Sequence, residues 1–411
     1  MIPIILTLAW RNLWRHPART GLTASGIALG LGFLLTMLGL GDGSHLQMID
    51  ATVRMGSGHV LIQAPGYQRR RGVETVVPGT EAERAATWAR SRSGVIAILP
   101  RAHASALLSS ADGSTGVMLS GVDPGVEVTV SRFPARVTRG RFLEPRDRNA
   151  AVIGSGVARL LNARTGSRVV AMAQGAGGGE VRSALFTVVG LLETGLDEID
   201  QGLMLVPLRA LQEFLDLGDG VHHIALILSD QAQSGPRARE ARRAFPDLEV
   251  LTWAEADPQL DAAIRMDDGG HYLMNGIFFV IIGFMVLNTL LMSVLERRRE
   301  LVLLGALGLS PRRRLAMVLA EAVMLSALAV LAGLGLGLGA EAYFRIHGLP
   351  LAWFTERGLE TAGVMLDPIM YAYLSIGRIA GSAGLVFALA LLLSLVAARH
   401  AVKPVDPNLL K

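Results

Sequence analysis

The chain has 411 residues, 51% of them hydrophobic, 5% aromatic and 18% charged, with a mean hydropathy of +0.42, which is greasier than a water-soluble enzyme of this length. The formal net charge of +4 comes mainly from arginines beside apolar runs and loops, and it signals no nucleic-acid partner. Cysteine is absent, which leaves the compartment open, since a domain with a full core needs no disulfides.

Residues 1–20 read as a cytoplasmic, interfacial amphipathic helix. Leu6, Trp10, Leu13 and Trp14 fall at helical spacing, while Arg11 and Arg15 share another face, as in a helix lying among lipid headgroups. The apolar run that follows is longer than a signal-peptide core of about 7–15 residues, and no small-x-small cleavage site follows it. It reads as a first transmembrane helix over residues 21–41. Residues 42–271 have ordinary globular composition and length for one or two cores. Strand patterns fall at 59–62, 117–122, 168–172, 185–191, 203–206 and 224–228, and helical patterns at 81–92, 156–162, 208–217 and 237–245. An α+β domain in two lobes is expected, with a helix exit at 162–166 and a hairpin tip at 175–179. Further spans are expected at 272–295, 315–343 and 376–398, each reaching the ~20 residues of a bilayer crossing.

The basic flanks set the orientation. Arg11, Arg15 and Arg19 precede the first span, six arginines from Arg297 to Arg314 separate the second and third, and Arg399, Lys403 and Lys411 follow the last. By the positive-inside rule these segments, including the tail 399–411, are cytoplasmic. The large domain and the short loop 344–375 then lie outside, and both termini lie within.

Catalytic signals are weak. The only lysines are Lys403 and Lys411, so no Gly-x-x-x-x-Gly-Lys-Ser/Thr phosphate loop exists. His222 and His223 are adjacent, so on a strand they point to opposite faces, one to the surface and one inward. Asp197, Glu198 and Asp200 read as a solvated turn, and Ser155 lacks a nucleophile-elbow context. No catalytic, cofactor or metal residue is assigned. In the membrane segments, small residues recur at four-residue spacing as Gly26 and Gly30, Gly333 and Gly337, and Gly377 and Gly381, which permits close helix packing or a dimer interface.

The segment 288–315 is the most informative. An apolar span ends in Glu296-Arg297-Arg298-Arg299-Glu300, continues as LVLLGALGL and restarts after Ser310-Pro311. Its charges stop a membrane helix, yet Leu301, Leu303, Leu304, Leu307 and Leu309 form a greasy face on a short cytoplasmic helix. That face calls for a partner.

This NTLLMSVLERRRELVLLGALGLSPRRRL segment, the opening AWRNLWRHPARTGLTASGIALG and the closing Pro404-Val405-Asp406-Pro407 with Leu409 resemble permease subunits of the MacB/FtsX/Lol superfamily of ABC transporters. Within the outer domain, AVIGSGVARLLNARTGSRV, FTVVGLLETGLDEID and LMLVPLRALQEFLDL look most like lipoprotein-releasing permeases of the LolC/LolE type. The resemblance implies a MacB-like type VII permease: four transmembrane helices with a two-lobed periplasmic domain between the first two. It also implies that 296–314 is a coupling helix, with Glu296, Arg297, Arg298, Arg299, Glu300, Leu304, Ala306, Leu307, Gly308 and Ser310 docking on a cytoplasmic ATPase. Two ATPase copies, which hold the ATP and Mg2+, and a second permease chain, identical or homologous, are the implied partners. Membrane lipids and a periplasmic carrier or adaptor are also implied. The implied setting is the bacterial inner membrane.

Three functions fit. The first is release or export of a lipoprotein or lipid-like substrate by mechanotransmission. The second is efflux of a peptide, toxin or amphiphilic drug through an adaptor. The third is a non-transporting, FtsX-like regulator of a cell-wall enzyme.

Overall fold

The computed structural model describes residues 2–15, 17–177, 179–296, 303, 309–350, 360–361, 364–365 and 369–402. The chain forms two compact units. One comprises Met1–His45, Arg265–Pro350 and Ile369–Lys411, and the other comprises Leu46–Ile264 and Leu351–Pro368.

The first unit is helical. Four helices are long and apolar enough to cross a membrane, with candidate spans Thr20–Ser57, Pro258–Asn288, Pro311–His347 and Ile376–Val396. The helices themselves run Pro17–Thr52, Pro258–Glu296, Pro311–His347 and Ile376–Val402. In hydrocarbon every backbone N–H and C=O must be paired within the segment, which a helix achieves. The third helix opens with Pro311 at its first turn and closes at Gly348, whose φ of 68° suits glycine and whose N–H donates to the Phe344 carbonyl at 2.9 Å.

Ile27, Leu31, Leu34 and Leu35 of the first membrane helix pack with Ile282, Val286, Ala329, Val330, Val386 and Ala390. Leu22, Leu29, Phe284, Leu331 and Leu392 point outward, as lipid-facing side chains do. The N-terminal helix Ile2–Arg15 packs against Pro311–His347. It buries Ala9 and Leu13 and leaves Trp10 and Trp14 exposed, edge to face with ring centroids 5.9 Å apart, an arrangement suited to a headgroup layer.

The second unit is built on a ten-stranded sheet: β1 (Val60–Gln63), β2 (Val95–Ser109), β3 (Ser114–Val122), β4 (Val137–Gly140), β5 (Ala150–Gly154), β6 (Arg168–Gln174), β7 (Val181–Leu192), β8 (Leu203–Pro207), β9 (His223–Leu228) and β10 (Glu249–Thr252). Their order is β10-β1-β9-β2-β3-β8-β5-β7-β4, with β6 paired to β2 and β7. Only β3 with β8 and β5 with β7 run parallel.

Strand β2 serves two halves. Val95–Arg101 pairs β9, and Ala102–Ser109 pairs β3, with its last four residues also pairing β6. On one side, the helices Gly79–Arg90 and Ser234–Ala244 bury Ala85, Ala89, Ala238 and Ala241 with Ile62, Leu226 and Phe245. On the other, Leu108, Leu119, Ile153, Val157, Phe186 and Phe214 form the larger core. The fold is therefore four transmembrane helices with an α+β domain inserted between the first and second.

Local expectations meet their physical causes. Asn162 has φ 48° and Gly166 has φ 89°, a left-handed exit from the helix Ser155–Leu160. Gly175 N–H donates to the Glu180 carbonyl at 3.0 Å, closing the β6–β7 hairpin. The helix Pro17–Thr52 ends through a wider turn, Val53–Ser57, with Gly56 at φ 142°. A Cβ at Gly56 would strike the Arg101 guanidinium, so both the backbone and the space require glycine there.

Candidate functional site

The predicted coupling residues Arg297, Arg298, Arg299, Glu300, Leu304, Ala306, Leu307 and Gly308 lie outside the described residues, as does the closing motif from Pro404 to Leu409. Two ends of the segment are described. Glu296 is the last residue of the second membrane helix. Ser310 is exposed and stands at the N-cap of the third membrane helix with extended geometry (φ −61°, ψ 151°), and its carbonyl accepts from the N–H groups of Arg313 and Arg314 at 3.0 and 3.1 Å. Between them, Leu303 is helical and exposed, an apolar side chain presented at a charged boundary.

The glycine pairs have different surroundings. A Cβ on Gly26 would strike the Met285 sulfur, and one on Gly30 would lie 2.8 Å from Ile282 Cγ1. A Cβ on Gly333 would lie 3.0 Å from the Ala28 carbonyl, and one on Gly337 would lie 2.8 Å from Leu35. These four allow the first membrane helix to approach the second and third closely. Gly377 and Gly381 face open space. Spacing alone did not mark Gly32, whose Cβ would sit 3.1 Å from Leu336, or Gly43, whose Cβ would strike the Tyr371 carbonyl.

In the outer unit the buried polar groups hold structure. Arg101 on β2 and Glu127 on the helix Pro124–Val130 are 3% and 0% exposed and meet at 2.6 Å. Arg101 also donates to the Met55 carbonyl at 3.2 Å and lies over the Phe133 ring. His222 and His223 were expected to divide between surface and core, but both are buried. His222 Nδ1 accepts from the His103 N–H at 2.9 Å, Nε2 bonds the Val73 carbonyl at 3.1 Å, and His223 stacks on His103 with ring centroids 4.8 Å apart. The strand does separate the two rings, but protein covers both faces of the sheet.

Burial pushes His103 well below the usual imidazole range, His223 down to about 3 and His59 down to about 4, because a charged ring would lose its hydration. All three are neutral at pH 7. Asp200 is a second correction: it is buried rather than solvated, and it accepts from Thr194 N–H and Oγ1, both at 2.8 Å, and from Gly195 N–H at 3.0 Å. Cβ atoms on Gly154 and Gly156 would strike the backbone of Asp200 or the Gln201 side chain, so the glycines beside Ser155 serve close packing.

The membrane unit carries a separate cluster of titratable side chains that sequence reading missed. Asp42 and His45 come from the first membrane helix, Asp267, Asp268 and His271 from the second, and Arg378 from the fourth. His45 Nε2 lies 2.6 Å from Asp267 Oδ2 and Nδ1 3.8 Å from Asp268 Oδ1. Arg378 contacts Asp42 at 2.6 Å and Asp268 at 3.6 Å. Asp267 and His271 stand at i,i+4 spacing, but nothing in linear spacing joins the three helices.

Residues 20–244 match the family described as MacB-like periplasmic core domain, and residues 272–404 match the FtsX-like permease C-terminal family. The chain is 25% identical to the lipoprotein-releasing system transmembrane protein LolC of Xylella fastidiosa, covering 82% of this chain and 77% of that one. It is 25% identical to LolC of Neisseria meningitidis serogroup B, over 71% and 69% respectively. With the macrolide export ATP-binding/permease protein MacB of Rhodospirillum rubrum it shares 27% identity over 84% of this chain, spanning about half (54%) of that protein. Among solved structures, the periplasmic region of MacB from Actinobacillus actinomycetemcomitans aligns at 15% identity with a TM-score of 0.36, covering 52% of this chain and 97% of that one. With both parts of the chain matched in order and four helices able to span a bilayer, the chain belongs to the MacB-like periplasmic core domain family, carries its FtsX-like permease region, and is a permease of the ABC transporter class.

Proposed function

We propose that this permease acts on lipidated proteins or lipid-like molecules, moving them from the outer leaflet by motions of its outer domain. One observation carries the choice of cargo: the similarity to LolC extends over 82% of this chain and 77% of that lipoprotein-releasing protein. In this reading ATP hydrolysis belongs to two copies of a partner ATPase subunit, with ATP and Mg2+ bound there. Two permease chains, both termini cytoplasmic, pair across the inner membrane. The segment 296–314 transmits the ATPase stroke, with the apolar side chains of Leu304 and Leu307 seated on the ATPase.

Two experiments test this reading. Leu304→Asp with Leu307→Asp abolishes co-purification of the ATPase and leaves membrane insertion intact; normal association would remove the docking assignment. Proteoliposomes holding the complete complex and a radiolabelled lipoprotein release the label on ATP addition, at least tenfold over a complex without ATP. A second reading, efflux of a small amphiphile through a periplasmic adaptor, is favoured by the similarity to MacB and to the pyoverdine export protein PvdT of Pseudomonas syringae at 26% identity. ATP-dependent movement of a macrolide without lipoprotein release would select it.

A further inference from the structure

The titratable cluster among the membrane helices holds more acidic than basic side chains. Three carboxylates, Asp42, Asp267 and Asp268, face one guanidinium, Arg378, leaving two negative charges in excess when the imidazoles are neutral. Asp42 and His45 are largely shielded, their side chains 13% and 10% exposed. Asp268 and Asp267 are 32% and 60% exposed, so the cluster opens to solvent on one side; like charges this close repel, and a dication relieves that repulsion.

The hydrogen bonding selects donors for such an ion. An ionised carboxylate accepts only, so the 2.6 Å contact places a proton on His45 Nε2, donated to Asp267, and the neutral ring with that bond is the Nε2–H tautomer. His45 Nδ1 is then a bare lone pair, 3.8 Å from Asp268 Oδ1. His271 supplies a second imidazole. Its Nδ1 is buried and makes no hydrogen bond within the protein, with the nearest carboxylate oxygen, on Asp267, 4.0 Å away. Tetrahedral ligands about 2.1 Å from a shared zinc lie about 3.4 Å apart. One ligand atom each from His45, Asp268 and His271 fall within 4.8 Å of one another, so side-chain rotations that draw them together by roughly an ångström close the set. Gly41 makes room for it, because a Cβ there would strike the His271 ring.

We propose that His45, Asp268 and His271 bind a late first-row dication, Zn2+ by the donor chemistry, with Asp267 holding His45 in its ligating tautomer. Two imidazole nitrogens and one carboxylate oxygen suit zinc and disfavour magnesium and calcium, which prefer all-oxygen shells. The carboxylate-to-histidine bond is the outer-shell contact that orients zinc ligands. The ion joins the first membrane helix to the second, and this holds whichever cargo the permease handles.

The test uses the full chain, stripped with chelator in detergent and titrated with Zn2+ and with Co2+ as a spectroscopic probe. One ion binds per chain, and the cobalt spectrum is that of a mixed nitrogen and oxygen shell. His45→Gln, Asp268→Asn and His271→Gln each weaken binding at least tenfold, whereas His347→Gln, which alters a histidine stacked on Tyr343, leaves it unchanged. Gly41→Ala also weakens binding while removing no donor. Unchanged affinity in His45→Gln and His271→Gln, or no stoichiometric ion in the native chain, overturns the proposal. If those variants aggregate, zinc-edge X-ray absorption of the native chain decides: two imidazoles in the shell support the site, and none refutes it.

Discussion

In the outer unit, buried ionisable side chains sit in small groups against a hydrogen-bonded sheet, as with Arg101 and Glu127 or His103, His222 and His223. In the membrane unit Asp42, His45, Asp267, Asp268, His271 and Arg378 gather in one cluster, while the core between the helices closes through glycines and aliphatic side chains. The contrast follows from the partners each environment supplies. A sheet edge or turn offers backbone donors and acceptors to a buried side chain, whereas membrane-helix backbones are already saturated, so charged groups there must satisfy one another. The outer unit should therefore be sensitive to loss of single charges and to acid, and the membrane unit to added volume.

The sharpest test of that contrast is Glu127→Ala. It strands the Arg101 charge in the interior and should cost about 3–5 kcal/mol in chemical unfolding of the full chain. Replacing both partners, Arg101→Met with Glu127→Leu, should recover most of the loss. If Glu127→Ala unfolds like the native chain, the pair does not hold the outer unit together.

Acid is the next largest effect. His59 and His223 titrate at about 4 and about 3 when folded, against 6.5 for the ordinary imidazole. The unfolded chain takes up protons first, so the stability these neutral rings contribute is complete above pH 6.5 and falls as the pH drops toward 4 and 3. At pH 5 the loss is about 2 kcal/mol per ring. Melting of the outer unit, followed by circular dichroism at pH 7 and pH 5, checks this. His223→Gln should flatten the dependence.

Volume comes third. Gly333→Leu should lower the detergent unfolding midpoint by a strain of about 1–3 kcal/mol, because a Cβ already meets Ala28 and Leu31. Gly381→Leu, facing open space, should fall within about 0.5 kcal/mol of native. Equal effects would show that Gly381 has a packing partner. The smallest effect is at the caps. Thr252 and Glu255 form a reciprocal capping box, so Thr252→Ala should cost about 1 kcal/mol. Ser310 caps with its backbone alone, so Ser310→Ala should be nearly neutral.

The membrane spans were legible because a run of twenty apolar residues has few alternatives. Six strand patterns and four helical patterns of the outer unit were legible through periodicity. The longest strand, β2, was not. Pro100 interrupts it although it pairs with Ile224, and its buried stripe beyond that point is Ala102, Ala104, Ala106 and Leu108. Alanine gives little alternation signal, and proline argues against a ladder position. The histidine pair misled because period-two alternation predicts opposite faces but not whether both faces are covered. Glycine spacing marked close approach at Gly26 and Gly333 but not what lies opposite Gly381. The cluster of His45 with Asp267 was invisible, since the two lie 222 residues apart and meet only once the helices assemble.

The turn at Val53–Ser57 has a mechanical consequence. Arg101 holds the Met55 carbonyl, reaches across to Glu127 and fills the space that a side chain at position 56 would take. Its own backbone belongs to β2, the strand common to both halves of the sheet. The end of the helix Pro17–Thr52 is thus riveted to the sheet's central girder rather than hung from it by a loose strap. Loss of that one guanidinium would untie the turn Val53–Ser57 from the strand that both halves of the sheet share.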